Sequence, residues 1–128
     1  MSIENFKKTV IVKALPKHKA ERLEATKVIV DHALTCDTYS GAVAASLVLS
    51  MSNNLTFNLQ DLIYLDPTRL HSARVMLVSI ESHQLYPAEW LDEGGYDGSE
   101  AYWAIRDKWE TLFTALRQNK RLNAIIER

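Results

Sequence analysis

The sequence predicts an all-α protein, a compact bundle of about five to six helices with an extended N-terminal arm. Three observations point there. Apolar residues recur at helical spacing from residue 18 onward, Asp66-Pro67 and Tyr86-Pro87 have the form of helix starts, and β-branched alternation is confined to residues 9–15. With 128 residues the chain is long enough to bury a core without disulfides or metal, so we expect one helical domain over residues 17–128 behind an arm over residues 1–16.

Residues 9–15, TVIVKAL, are β-branched, partly alternating and closed by Pro16, which reads as an extended strand. A single strand in a helical chain has no ladder partner. It must lie along the helices as an arm or pair with the same segment of a second copy, and the second option makes Val10, Ile11 and Val12 candidate homodimer contacts. Residues 18–35 place Ala20, Leu23, Val28, Ile29, Val30, Ala33 and Leu34 in a helical pattern, with lysines and glutamates on the other face. A cluster of capping residues at 36–40 interrupts it. The next run, GAVAASLVLSM at 41–51, carries no charge and is rich in small residues, so this helix should be the buried axle, its serines bonding back to helix carbonyls. Asn53-Asn54 should end it.

Asn58 followed by Asp61 predicts a capped short helix over 60–65 with Leu62 and Leu65 inward. Asp66-Pro67 is the clearest start signal, because aspartate accepts the free amides of a first turn and proline has no amide to lose. From Pro67, residues Leu70, Ala73, Leu77 and Ile80 share one face, and Val75, Met76 and Val78 widen it, which predicts a central helix. A short helix over 86–91 should follow. Residues 92–98, DEGGYDG, read as a mobile loop, and Ser99 should cap a long helix with the stripe Tyr102, Ile105, Trp109, Leu112, Phe113 and Leu116, ending near Asn119. Leu122, Ile125 and Ile126 fall out of phase with that stripe.

The composition, 47% hydrophobic and 24% charged, is that of a soluble protein, and no window approaches the ~20 apolar residues of a membrane span. The first residues lack the layout of a secretory signal, and the lone Cys36 offers neither an internal disulfide nor metal-ligand spacing, so a cytoplasmic protein is expected. Net charge is −1 but uneven. Residues 1–22 hold six Lys/Arg against two Glu, residues 106–128 six against three acids, and residues 23–105 three against eleven. Basic ends can fold back on the acidic body or form a patch for an anionic partner, and the first reading is favoured.

The set Asp37-Thr38-x-Ser40-Gly41 with Val43-Ala44, Asn53 or Asn54, Phe57-x-Leu59-x-Asp61-Leu62, Leu65-Asp66, Ala73-x-Val75, Tyr86-Pro87 and Trp109 resembles a family of small uncharacterised bacterial all-helical proteins, a domain of unknown function. It spans roughly residues 34–109. The resemblance implies an accessory protein of the kind often carried on plasmids or integrated elements, and it implies no activity or mechanism.

Candidate chemistry is sparse. His32 and Cys36 lie four apart on a helix, where an imidazole could activate a thiolate, but a small core cysteine and a dipole-favoured histidine account for both. His71 and His83 are twelve apart, too far for a metal pair on one helix. Asp61 and Asp66 sit where caps are expected rather than as an acid and base pair. A helix-turn-helix over 62–78 would aim Thr68, Arg69, His71 and Arg74 at DNA, yet its apolar run and the acidic centre oppose that use. Tyr86, Pro87, Trp90, Tyr96, Tyr102 and Trp103 gather around the glycine loop, as aromatic groups do on protein-binding surfaces, with a satellite core as the alternative for Trp90 and Trp103. The expectation is a non-enzymatic protein-binding or accessory protein with no catalytic residues, metal site, cofactor or membrane contact. A nucleic-acid-binding regulator using the basic termini ranks second and an enzyme last.

Overall fold

Two consecutive helices, α1 (Lys17–Thr35) and α2 (Tyr39–Asn53), form the frame of the computed structural model, which describes residues 1–53, 56–80 and 86–118. Around them lie α3 (Pro67–Val78), α4 (Pro87–Glu93), α5 (Gly98–Lys108) and α6 (Glu110–Arg117), with 3-10 turns at Ile3–Phe6 and Leu59–Tyr64. The fold is all-α, as the periodicity predicts. Helix α1 packs against α2, α3, α4 and α5, and α2 in turn supports α4, α5 and α6.

Every residue of α2 from 41 to 50 is buried, so the uncharged run is the axle. Its hydroxyls are satisfied locally. Ser46, Ser50 and Ser52 donate to the carbonyls of Val43, Ser46 and Val48 at 2.9, 2.5 and 2.7 Å, which lets polar residues sit in an apolar environment without loss. The C-terminal carbonyls of α1 are capped from a distant part of the chain. The Lys108 ammonium donates to the carbonyls of Leu34 and Cys36 at 2.9 and 3.1 Å and pairs with Asp37 at 2.8 Å, while the Trp109 indole N–H donates to Ala33 at 2.9 Å.

That anchor explains the first departure from expectation. In place of one long helix after residue 99, the backbone breaks at Trp109 (φ −111°, ψ 35°) and resumes as α6, because the ring is held against the end of α1. Asp97 rather than Ser99 caps α5, accepting the Glu100 amide at 3.1 Å. Asn54, His83, Asn119, Leu122, Ile125 and Ile126 lie outside the described residues.

Helix α3 begins as predicted, with the Asp66 carboxylate accepting the Arg69 amide at 3.0 Å and its guanidinium at 2.8 Å. It is not the centre. It packs chiefly on α1 and buries Ser72, Ala73 and Met76, leaving Val78 84% and Ile80 47% exposed. Four consecutive apolar residues gave the pattern no phase, and small side chains made the contact. The expected short helix is the 3-10 turn, capped by Asn58 accepting the Gln60 amide at 3.0 Å, with Leu65 buried and Leu62 against the core.

The arm also differs from its reading. Ile3 is buried, its amide donating to Asp31 at 2.9 Å, and the chain then meets residues 95–97: Lys8 donates to the Gly95 carbonyl at 2.8 Å and Asp97 to that of Phe6 at 2.7 Å. Lys7 and Tyr96 form an isolated antiparallel bridge. Residues 9–15 form no strand, since the pairing is made upstream, within the same chain. The predicted mobile loop is consequently pinned from both sides. Gly95, at φ +83°, accepts a left-handed turn that other residues resist, and a methyl there would come 2.5 Å from Val12. At Gly98 a methyl would lie 2.0 Å from the Ala88 carbonyl oxygen, so only glycine lets α5 start this close to α4.

Candidate protein-binding groove

Helical spacing puts Ser99, Tyr102, Trp103 and Arg106 on one face of α5, and the close approach at Gly98 sets that face beside Tyr86 and Glu89 at the start of α4. Together they line an open groove of about 280 Å³. Trp103 is 48% and Tyr86 46% exposed, so two large rings remain available to a partner. Tyr102 meets Trp103 edge to face at 5.6 Å between ring centres, which fixes the indole without covering it. The Arg106 guanidinium lies 4.8 Å from the Trp103 ring centre and 3.9 Å from that of Phe113. Among the described residues it makes no hydrogen bond and no ion pair, so its charge is held in place by two rings but unmatched.

The structure divides the six aromatic-loop residues named from the sequence. Tyr86, Tyr102 and Trp103 come together in the groove. Pro87, Trp90 and Tyr96 do not, since all three are buried, Trp90 completely, and no partner can reach them. Trp90 is covered by Arg22, itself 1% exposed, whose guanidinium lies 4.8 Å from the ring centre. Arg22 donates to Glu93 at 2.8 Å and to the Ser79 carbonyl at 3.3 Å, and Lys19 pairs with Glu93 at 3.2 Å. Burial works to raise the Glu93 pKa, but the hydrogen bonds and charges of Lys19 and Arg22 outweigh it and hold the carboxyl below its ordinary value. Tyr96 is packed under the arm, its hydroxyl donating to Glu4 at 3.3 Å. Val10, Ile11 and Val12 are exposed, Ile11 completely.

Sequence reading missed Arg106 and Glu89. The available signal was the i, i+3 spacing of Trp103 and Arg106, which stacks a guanidinium over an indole on a helix surface.

His32 and Cys36 find separate partners rather than each other. His32 Nε2 bonds the Ser40 hydroxyl at 2.5 Å, and Cys36 Sγ lies 3.1 Å from the Thr38 hydroxyl. Burial, with Arg69 nearby, lowers the His32 pKa, so the ring is neutral at pH 7. For Cys36 burial pushes upward, yet hydrogen bonds from Thr38 and Gly41 and the charge of Lys108 bring the thiol below its usual pKa. Asp66 serves α3 as a cap and Asp61 is buried, so the two do not present an acid and base pair.

A second depression of about 580 Å³ runs between α1 and α3, with Ala20, Glu21, Glu24, Val28, His71 and Val75 in its walls. Among the described residues, no group of three or more His, Cys, Asp or Glu is placed to hold a metal ion, and no helix is long and apolar enough to cross a membrane. Compared with known proteins, the chain matches no family model, no curated protein and no solved structure.

Proposed function

We propose that the protein acts without catalysis, by binding another protein through the groove along α5. The observation that supports this most is the half-exposed Trp103, held at a fixed angle by Tyr102 and Arg106 beside an equally exposed Tyr86. Rigid, partly exposed aromatic and arginine side chains supply much contact area for little ordering cost, which is why they dominate binding hot spots. We place the protein in the cytoplasm, where a lone thiol stays reduced, and read it as a bacterial accessory protein in keeping with the resemblance. Its basic ends partly serve the fold: Lys19 and Arg22 engage Glu93, and Lys108 engages Asp37 and two carbonyls. That spending of positive charge ranks nucleic-acid binding second.

The test is affinity capture from native lysate with the wild-type chain and Trp103→Ala side by side, followed by reconstitution with the purified partner. A partner lost with Trp103→Ala is expected. One retained equally by both would contradict the groove.

Exposed Val10, Ile11 and Val12 favour a second proposal, that two copies associate through their arms. Sedimentation should show a dimer for the wild type and a monomer for Ile11→Asp, and a wild-type monomer at high concentration would refute it.

A further inference from the structure

Resting on the protein-binding reading of the same groove, we propose that its occupant is an acidic peptide segment. An aspartate or glutamate carboxylate pairs with Arg106, and a neighbouring apolar side chain lies on Trp103.

Two rings lie against the Arg106 guanidinium, at 4.8 Å (Trp103) and 3.9 Å (Phe113), and its N–H donors have no hydrogen-bond partner among the described residues. A planar fork of donors in a fixed orientation suits a carboxylate, which accepts two parallel hydrogen bonds, and the ordering cost is already met by the stack. Glu89 lines the same groove yet forms no ion pair with Arg106, so the charge is left for a partner.

The groove also has a direction. Gly98 abuts Ala88, which sets Glu89 near the start of α5, whereas Arg106 occupies its last turn. An acid on the partner is repelled at the Glu89 end and held at the Arg106 end. Seven residues of helix separate Ser99 from Arg106, roughly 10 Å, the length of about three extended peptide residues. Recognition therefore covers a short stretch with its acid at one end and its apolar side chain adjacent.

A random-peptide display library panned on the full chain, with counter-selection on Trp103→Ala, tests this directly. Selected sequences should carry Asp or Glu within about three residues of an apolar side chain. For a selected peptide, replacing that acid by its amide should weaken binding to the wild type about tenfold or more. It should change binding to Arg106→Gln little, and Arg106→Lys should recover part of the acid preference. Far-UV circular dichroism of each variant separates lost recognition from lost fold. Trp103-dependent peptides that lack an acid would overturn the acidic partner and leave the groove standing. An absence of Trp103-dependent peptides would overturn both. A phosphoserine form binding tenfold tighter than the acid would also overturn the carboxylate assignment, in favour of a phosphorylated partner.

Discussion

Two arginine–tryptophan stacks have the same 4.8 Å separation and opposite surroundings. Arg22 over Trp90 is sealed between α1 and α4, with Glu93 matching its charge and the Ser79 carbonyl taking another donor. Arg106 over Trp103 lies at the surface, and among the described residues its charge has no counterpart. A stack alone therefore says nothing about role. What separates a structural pair from a recognition pair is whether the chain itself completes the cation.

The largest effect expected from breaking this contrast is at Trp90. Trp90→Ala empties a fully buried site and should cost about 3–5 kcal/mol in denaturant unfolding, while Trp103→Ala costs about 1 kcal/mol or less. Next is Arg22→Ala. It leaves Glu93 with only Lys19 and uncovers the Trp90 ring, and should cost about 2–4 kcal/mol, toward the lower figure because Glu93 keeps some solvent. Urea midpoints for these variants at pH 7 check both.

A smaller effect sharpens the contrast through pH. The folded pKa of Glu93 is depressed, so its contribution is present above the ordinary carboxylate range and is lost as pH falls through the folded value. The stability gap between wild type and Glu93→Gln should be widest near neutrality and close in acid, as read from melts at pH 7, 5 and 3. A gap that stayed constant would remove Glu93 as the counter-charge. His32 acts in the same direction for another reason: its folded pKa lies below the ordinary histidine value, so protonation below about pH 6.5 destabilises the fold.

Much of this fold was legible because its signals are local. The uncharged run at 41–51 could only be an axle, Asp66-Pro67 fixed the start of α3, and Pro87 that of α4. What stayed hidden depends on distant contacts. Arg22 looks like a residue of the polar face of α1 until its partner, 71 positions away, is in place. Trp109 looks like one more stripe residue until its indole reaches Ala33. On α3, Ala73 and Met76 of the apolar surface are buried, but so is Ser72, while Val78 and Ile80 are exposed, because the contact with α1 and not the apolar spacing selects the face. Met76, fully buried, is the position whose truncation to alanine should cost about 2–5 kcal/mol, with half-buried Leu77 costing less. In the groove, rings were legible as types. Their division into covered and exposed was not, since Pro87, Trp90 and Tyr96 turn inward only once α4 and the arm have docked.

The most direct test compares the unfolding free energies of Arg22→Ala and Arg106→Ala in one buffer at pH 7. Arg22→Ala should lose about 2–4 kcal/mol, toward the lower figure, and Arg106→Ala about 1 kcal/mol or less, each read from the same urea titration. Equal losses, or a larger one at Arg106, would contradict the contrast, because Arg106 would then be a structural cation like Arg22 and not one held for a partner.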